Sequence, residues 1–466
     1  MGDGTKTLRI GLAGLGTVGV SVIKSLVQNK NGPFFMDCQG VGVVAVSARN
    51  RARDRGVDLS PYRWYDDPAA MAAADDIDCV VELIGGAEGA AFDTVRTALA
   101  QGKHVVTANK ALLATHGLEL AETAEQRGVA LAFEAAVAGG IPVIKTLREA
   151  LVGNRVTKVA GILNGTCNFI LTTMESYHFN GGERRARSAA AGDNSRPEGD
   201  NFAFTESLAE AQRLGYAEAD PTSDIEGFDS AYKLAILSSL AFGTVIDFDG
   251  VHTEGISRVS LFDLKMADEL GFRIKLLGVA ELSDEGLEQR VQPTMVLKNG
   301  ALGGVSGVTN ALKITADMIG ELTLVGPGAG GAATASAVLS DIADVAKGRV
   351  VRPFGIAGRS LKRAPRRKSS VHTGGFYIRV RVFDRPGVAA QVTRRMAEQG
   401  ISLESILQKR DETAARIDPA GRSGAPVPVV LITYATTEDA VRTALERMQN
   451  DELLTEQPLL VRIERT

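Results

Sequence analysis

Residues 8–19, LRIGLAGLGTVG, begin as an apolar strand and run directly into a glycine-rich turn that opens an apolar helix. The turn has the complete spacing Gly14-x-Gly16-x-x-Gly19. Such glycines permit the tight turn, the approach of the backbone to a pyrophosphate, and close packing of the helix on the strand. A turn that serves packing alone is the less favoured alternative, because a strand precedes it and a helix follows. We therefore predict a dinucleotide-binding turn with contacts from Gly14, Leu15, Gly16, Thr17, Val18 and Gly19.

Segments rich in Val, Ile and Leu alternate with Ala-rich helical segments through the first 140 residues. We predict strands at 8–13, 41–47, 79–84, 104–107 and 129–133. The helices between them are predicted at 18–28, 67–74, 91–100 and 117–126. A succession of βαβ units with right-handed crossovers winds into a parallel sheet covered by helices. The pattern therefore predicts an α/β Rossmann domain.

The remaining chain changes pattern twice. Residues 141–325 mix helical and strand-like segments, which is typical of an α+β domain. The tail that begins FYIRVRVFD has the order βαββαβ, which predicts a ferredoxin-like module. The predicted domains are a Rossmann domain over 1–140 joined by 326–350, an α+β domain over 141–325, a linker over 351–373 and the C-terminal module over 374–466.

Charge and composition exclude several classes of protein. The formal net charge is -4, which gives no electrostatic footprint for nucleic acid or an anionic membrane. The chain has no apolar run long enough for a membrane span, and its three cysteines are far apart. We expect a cytoplasmic protein without a disulfide framework. The basic stretch 359–370 is interpreted as a solvated tether, with nucleic-acid binding as the weaker alternative.

The second predicted strand bears on the choice of cofactor. An NAD site usually has an acidic residue at the end of this strand, where it holds the ribose hydroxyls. Here the strand ends in Ser47, followed by Ala48, Arg49 and Asn50. Arg49 can pair with a 2′-phosphate through charge-assisted hydrogen bonds. We therefore favour NADP, while NAD use and merely solvated arginines stay open as alternatives.

Further motifs resemble those of the homoserine dehydrogenase family and extend over nearly the whole chain. They are TANKALLA at 107–114, FEAAVAGGIPVIKTLRE at 133–149, GILNGTCNFILT at 161–172, EAQRLGYAEADPTSDIEGFDSAYKLAIL at 210–237 and GPGAGGAATASAV at 326–338. The resemblance implies interconversion of L-homoserine and L-aspartate 4-semialdehyde, on the route to threonine, methionine and isoleucine. It also implies that 141–325 is the catalytic and dimerisation domain. The segment 178–201 looks like an insertion that this family usually lacks.

Two lysines are candidates for the chemistry. Reduction of an aldehyde needs a proton for the forming alkoxide, and a lysine can supply it. Lys233 follows Asp229 by four residues, so both lie on one face of a predicted helix. A surface ion pair is the alternative interpretation. The resemblance implies a catalytic role for Lys233, oriented by Asp229, and makes Lys110 a second lysine that meets cofactor and substrate.

The resemblance also implies a substrate site and a cation site. Gly215, Glu218 and Asp229 would contact the substrate, with a carboxylate facing its ammonium group. Nearby Asp220, Asp224 and Glu226 are expected to be solvated loop acids. The family's sodium ion would map to Glu134, Val137, Gly139 and Ile141. In the loop 326–331, GPGAGG, a backbone approach to the cofactor at Gly330 is predicted.

The C-terminal module resembles an ACT domain, with DRPGV at 384–388 opening its first helix. ACT domains commonly pair and bind amino acids, which implies a homodimer or homotetramer with feedback control, for example by threonine. A purely structural, dimerising module is the alternative. The long loop 411–428 departs from the family's pattern, so no effector residues are assigned.

Two rival functions remain. A semialdehyde dehydrogenase that works through a thiolate would need a reactive cysteine, and Cys167 is the candidate near a motif. A non-catalytic sensor of NADP and an amino acid is the second rival. The presence of both Lys233 and Glu218 argues against a sensor.

Overall fold

The computed structural model describes residues 7–28, 40–179, 200–368, 372–383, 385–408 and 426–465. Most of the predicted insertion 178–201 and most of the loop 411–428 lie outside the described residues. Over the described ranges the strands form two large sheets, one of six strands and one of eleven. The six-stranded sheet belongs to the Rossmann domain. The eleven-stranded sheet contains the strands of the second domain and of the C-terminal module.

The first sheet is parallel and has the order β3-β2-β1-β4-β5-β6. Its strands are β1 (Leu8–Ala13), β2 (Val41–Ser47), β3 (Arg63–Tyr65), β4 (Cys79–Glu82), β5 (His104–Thr107) and β6 (Leu131–Ala132). Its helices are α1 (Thr17–Gln28), α2 (Pro68–Ala73), α3 (Ala90–Ala100) and α4 (Lys110–Arg127). The strand order reverses between β1 and β4, and ligands of such sheets bind at that point beyond the carboxyl ends of the strands.

Two features of this sheet differ from the prediction. The short strand β3 was not predicted, because three residues give no periodic signal. Helix α4 begins at Lys110 and not at residue 117, because Asn109 caps it. The Asn109 side chain accepts a hydrogen bond from the Leu112 N–H at 3.1 Å, which satisfies one free donor of the first turn. This earlier start places Lys110 at the carboxyl end of β5.

The second sheet has the order β12-β11-β7-β9-β10-β17-β13-β15-β14. Its strands are β7 (Val156–Ile162), β8 (His252–Thr253), β9 (Phe272–Ser283), β10 (Gly286–Leu297), β11 (Thr309–Ala316), β12 (Gly320–Pro327), β13 (Thr373–Phe383), β14 (Leu403–Gln408), β15 (Pro426–Thr433), β16 (Thr436–Thr437) and β17 (Leu459–Glu464). The short strands β8 and β16 pair with β10 and β13. Strands β11 and β12 were not predicted, and β9 and β10 pair along their whole length as an antiparallel hairpin.

Helices cover this sheet and join it to the first. They are α5 (Val143–Lys145) with a π-helical continuation (Thr146–Ala150), α6 (Gly165–Phe179), α7 (Asp200–Arg213), α8 (Thr222–Ile225), α9 (Phe228–Phe242), α10 (Leu261–Glu269), α11 (Gly331–Ala346), α12 (Val388–Ala397) and α13 (Glu438–Asn450). Helix α11 returns to the Rossmann domain, where Gly331 packs against Thr17 and Ser21 of α1. Over the described ranges, every helix is too short or too polar to cross a membrane.

The C-terminal module has the predicted βαββαβ order, and its strands β17-β13-β15-β14 are arranged as in ferredoxin-like folds. Its own core includes Phe376, Val392 and Val441. The module is also continuous with the second sheet, because β17 pairs in parallel with β10. At this junction lie the two largest fully buried side chains, the junction arginines Arg290 and Arg462.

The linker between these parts is bound along the second domain. The Val245 N–H donates to the Lys362 carbonyl at 3.0 Å, and the Leu287 N–H donates to the Pro365 carbonyl at 2.8 Å. The Arg366 side chain pairs with Asp247 at 2.5 Å. For the described residues 359–368, the prediction of a solvated tether therefore holds for the side chains but not for the backbone. Its basic side chains are mostly solvated, while its backbone pairs with the second domain. Composition gives no information about backbone hydrogen bonds, so this pairing was not predicted.

Candidate active site

A buried carboxylate lies between two lysines in the crevice between the Rossmann domain and the second domain. Asp229, in the first turn of α9, accepts a hydrogen bond from Lys233 Nζ at 2.6 Å. Its other oxygen lies 3.0 Å from Lys110 Nζ, at the start of α4. Lys233 also donates to the Leu163 carbonyl at 2.8 Å. The structure thus brings together the three residues predicted to carry the chemistry.

The charges in this cluster shift each other's pKa values. Burial alone raises the pKa of Asp229, but the charges of Lys233 and Lys110 outweigh it and hold the pKa well below its usual range. The charge of Asp229 in turn raises the pKa of Lys110 against the opposing effect of burial, and Asp224 and Glu218 add to it. Asp229 is therefore an anion and Lys110 a cation at neutral pH.

Asn164 joins a second carboxylate to this cluster. Its side-chain Nδ2 donates to Asp224 at 2.7 Å and to Asp229 at 2.9 Å. Burial raises the pKa of Asp224, and the charge of Asp229 raises it further. The expectation that Asp224 is a solvated loop acid is therefore wrong. Asn164 was missed altogether, because it lies in a different motif, 65 residues before Asp229 in the chain.

The remaining predicted substrate contacts lie at the rim of the cluster. Gly215 follows the end of α7, and Glu218 is exposed three residues later. The Gln212 side chain donates to the Glu218 backbone carbonyl at 3.0 Å, which fixes the course of this loop. The Glu218 carboxylate is close enough to raise the pKa of Lys110. The rim therefore offers an open carboxylate facing the buried cluster.

The glycine-rich turn has the geometry that its sequence predicts. Gly14 has a φ of +102°, and a Cβ there would collide with the Leu83 carbonyl. A Cβ on Gly19 would collide with the Gly14 carbonyl, whereas a Cβ on Gly16 would meet open space. Leu15, Thr17 and Val18 complete the turn and the first residues of α1. The open face at Gly16, above a helix N-terminus, suits a pyrophosphate.

The arginine-rich loop after β2 lies beside this turn. Arg49 is exposed at the end of the strand. Arg55 donates to the Leu15 carbonyl at 3.3 Å and to the Asn50 carbonyl at 2.6 Å, so the loop is tied to the glycine-rich turn. The Arg55 guanidinium also lies over the Trp64 ring at 5.7 Å. Arg49 is thus free to face a phosphate group.

The predicted cation segment 134–141 packs against the loop 326–331. Glu134 accepts hydrogen bonds from the Ile144 and Lys145 N–H groups at 2.9 and 2.8 Å. Burial raises the pKa of Glu134 to about 7, and the charge of Asp341 adds to it.

The Glu134 carboxylate is thus committed to backbone donors. Of the predicted ligands, the Ile141 carbonyl accepts the Val143 N–H at 2.8 Å, and Val137 is fully buried. Gly139 packs directly on the Gly328 carbonyl. Gly330 caps α11, next to the glycine that packs on α1. Among the described residues, no group of three or more His, Cys, Asp or Glu side chains is placed to hold a metal ion.

The cysteine required by the thiolate rival is unsuited to attack. Cys167 is fully buried, and its Sγ contacts the Asp224 carbonyl at 3.1 Å. Burial raises the pKa of this thiol well above its ordinary value, and the charge of Asp224 raises it further. A nucleophilic cysteine needs a lowered pKa and an open approach. The geometry of Cys167 therefore does not support a thiolate nucleophile.

Comparison with known proteins matches three families along the chain. Residues 14–134 match the NAD binding domain of homoserine dehydrogenase, residues 142–343 match homoserine dehydrogenase, and residues 376–450 match the ACT domain. The homoserine dehydrogenase of Pseudomonas aeruginosa is 39% identical over 98% of this chain and 99% of its own length.

Solved structures give the same result. A homoserine dehydrogenase from Thiobacillus denitrificans superimposes with a TM-score of 0.84 and 38% identity, covering 99% of this chain and 98% of its own. A hyperthermophilic archaeal homoserine dehydrogenase in complex with NADPH has the same fold, with a TM-score of 0.57 and 24% identity. It covers 73% of this chain and 97% of its own.

Proposed function

The chain belongs to the homoserine dehydrogenase family, and from this premise we propose which of its residues carry each part of the reaction. Enzymes of this family are oxidoreductases that act on a CH–OH group, with L-homoserine and L-aspartate 4-semialdehyde as the implied substrates. One observation carries the assignment. Asp229 is buried between Lys233 of the second domain and Lys110 of the Rossmann domain.

Lys233 is the proposed acid and base. A lysine ammonium has three donors, and two of those on Lys233 are engaged by Asp229 and the Leu163 carbonyl. The third is left for the substrate oxygen. In the direction of reduction Lys233 protonates this oxygen, and in the direction of oxidation it removes the hydroxyl proton. Asp229 fixes its position and keeps the developing charges paired.

The substrate amino group is assigned to the rim. Glu218 offers an exposed carboxylate, and the backbone at Gly215 shapes the loop that presents it. Asp224, which with Glu218 raises the pKa of Lys110, adds a second carboxylate near the cluster. A substrate that is a primary ammonium at one end and an alcohol at the other would then span from this rim to Lys233.

NADP is the proposed cofactor, and it supplies or accepts the hydride when bound. The residues that would hold it are Gly14, Leu15, Gly16, Thr17, Val18, Gly19, Arg49, Lys110 and Gly330. The open face at Gly16 and the exposed Arg49 support this choice. The NADPH complex of the archaeal relative agrees with it. NAD is the alternative cofactor, and the spectrophotometric assay described below tests both.

A sodium ion is proposed at the turn 134–141, with main-chain carbonyls of Glu134, Val137, Gly139 and Ile141 as ligands. The commitment of the Glu134 carboxylate to two backbone N–H groups supports a carbonyl site there. We also propose that the ACT domain mediates feedback control, with threonine as the first effector to test, in a homodimer or homotetramer. A cytoplasmic location stays a prediction.

A spectrophotometric assay tests the proposal. L-homoserine is mixed with NADP or with NAD, and the absorbance of the reduced cofactor is followed. Turnover that is faster with NADP is expected, and no signal with either cofactor would refute the proposed function. Replacing Lys233 with Ala should abolish turnover while NADPH still binds, as measured by its fluorescence. Added threonine, in the same assay, tests the role of the ACT domain.

A further inference from the structure

The two loops that leave the carboxyl ends of β4 and β5 are bound to each other by a closed ring of hydrogen bonds. Glu82, the last residue of β4, accepts the N–H groups of Ile84 and Gly85 at 2.7 and 3.2 Å. Its other oxygen accepts the Thr107 hydroxyl at 2.6 Å. Thr107 is the last residue of β5. The ring therefore begins where the two neighbouring strands end.

Asn109 closes the ring. Its N–H donates to the Thr107 hydroxyl oxygen at 3.0 Å, and its side-chain Nδ2 donates to the Gly86 carbonyl at 2.7 Å. Gly85 and Gly86 have φ values of +87° and +85°. This left-handed course turns the loop back over its own strand, so that its N–H groups reach Glu82 and its carbonyl reaches Asn109.

Burial makes this ring rigid. Glu82 and Thr107 are fully buried and Asn109 is 5% exposed. Burial raises the pKa of Glu82, and the hydrogen bonds from Thr107 and the two backbone groups oppose the shift. A buried carboxylate is costly unless its oxygens are hydrogen-bonded, so breaking any one bond is unfavourable. The two loops can hardly move independently while the ring is intact.

The ring ends one residue before Lys110. Asn109 is also the N-cap of α4, so the same side chain that closes the ring sets where the helix begins. Lys110 then extends from the first helical residue across the domain crevice to Asp229. Its side chain is 38% exposed, so packing alone does not fix it. The anchoring of its backbone decides where its ammonium can reach.

We propose that Glu82, Thr107 and Asn109 are positioning residues for Lys110, and that the ring they form holds this lysine against Asp229. The inference rests on the proposed role of Lys110 at the active site. It adds three residues of the Rossmann domain that act on the reaction through Lys110.

The test uses a matched pair of variants of the full chain. Thr107→Val has the same shape but lacks the hydroxyl, so it removes one hydrogen bond to Glu82 and one from Asn109. Thr107→Ser keeps the hydroxyl and both bonds. We expect Thr107→Val to lower kcat/KM for L-homoserine by about ten- to a hundredfold, the effect of a misplaced catalytic group. Thr107→Ser should stay close to the wild-type value.

Three further measurements separate positioning from general loss of structure. In a Lys110→Met background, Thr107→Val should cause no additional loss of kcat/KM, because the lysine it positions is absent. NADPH binding, followed by fluorescence, should survive in Thr107→Val and Thr107→Ser, because the glycine-rich turn and Arg49 are unchanged in them. The alkaline limb of the pH–rate profile should move to lower pH in Thr107→Val. The reason is that Lys110 would lose contact with Asp229. Of the three carboxylates that raise the pKa of Lys110, Asp229 has the largest effect, and Asp224 and Glu218 have smaller ones.

Equal losses of kcat/KM in the presence and absence of Lys110 would overturn the proposal, as would a Thr107→Val variant as active as the wild type. A chain without homoserine turnover would refute the proposed function instead. An active chain in which Lys110→Met has no effect would refute the role of the lysine.

Discussion

Replacing Asp229 with Asn removes the charge that the two lysines share while keeping the shape of the side chain. The carboxylate lies 2.6 Å from Lys233 Nζ and 3.0 Å from Lys110 Nζ. It is 7% exposed, and Lys233 is 9% exposed. The variant therefore leaves a buried ammonium without its partner anion, and it should be both less stable and less active.

The magnitude follows from burial. Removing one partner of a buried ion pair typically costs about 3–5 kcal/mol, because the other charge stays buried and unpaired. The Lys110 side chain is 38% exposed, so solvent screens its interaction with Asp229. Most of the lost stability therefore comes from the interaction between Asp229 and Lys233. We expect a loss of about 3–5 kcal/mol in the free energy of unfolding. We also expect a loss of about a hundredfold or more in kcat/KM, typical of one positioned electrostatic group.

The loss should depend on pH with a definite sign. The pKa of Asp229 is lowered in the folded state, so its stabilisation is present above the unfolded pKa of about 3.9. This stabilisation is lost as the pH falls below that value. The difference in stability between the wild type and Asp229→Asn should therefore be largest near neutral pH and shrink in acid.

Urea denaturation followed by circular dichroism, at several pH values, measures this difference. Asp220→Asn is the control, because Asp220 is an exposed carboxylate in the same motif whose partner is Thr222. It should change stability by less than about 0.5 kcal/mol. If Asp229→Asn resembled this control in both stability and kcat/KM, the argument that Asp229 pairs with both lysines would be wrong.

Three other perturbations test separate parts of the structure. Glu288→Gln leaves the junction arginines without their shared carboxylate. It should lower the free energy of unfolding, measured by urea denaturation, by about 3–5 kcal/mol. Glu285→Gln, at an exposed residue nearby, should lower the free energy of unfolding by only about 0–1 kcal/mol. Cys167→Ser should leave kcat/KM for homoserine largely unchanged, since the thiol is buried and protonated, and an inactive variant would support the thiolate rival. The pKa of Glu134 is raised to about 7, so folding favours its protonated form. Between about pH 5 and 8 the free energy of unfolding of the wild type should fall by roughly 3 kcal/mol relative to that of Glu134→Gln. The same pH dependence of stability in both proteins would contradict this.

Local patterns carried much of the prediction. The glycine-rich turn and the first strands could be predicted, because each depends on residues within about a dozen positions of one another. The ion pair of Asp229 and Lys233 lies within one helical turn and was predictable for the same reason. The start of α4 was missed although it too is local. Its signal was the capping Asn109, and not the apolar spacing used to place the helix.

Long-range pairing could not be predicted in the same way. Strand β12 is half exposed and has no strong alternation, so only its pairing with β11 identifies it. Asn164 meets Asp229 because the second sheet brings the start of α6 next to the start of α9. Nothing in either motif alone specifies this contact, which depends on how the chain crosses the sheet.

The junction with the C-terminal module is the clearest case. The segment LLVRIE of β17 suggests an arginine on an exposed face, yet Arg462 is 2% exposed. It is buried because Glu288 and Glu438 lie 2.7 Å from its guanidinium nitrogens. One of these partners comes from β10, 174 residues earlier in the chain. A buried charge becomes acceptable only when its partners are in place, so its burial follows from the topology.

The same reasoning explains why the active site needs both domains. Lys110 comes from helix α4 of the Rossmann domain and Lys233 from the second domain, and two ammonium groups would repel each other where these domains meet. Asp229 turns this repulsion into attraction, because each of its oxygens accepts one lysine. The carboxylate thus holds the two domains in the arrangement that the chemistry requires. Loss of its charge should therefore affect stability and turnover together, whereas loss of the Thr107 hydroxyl should affect turnover mainly through Lys110.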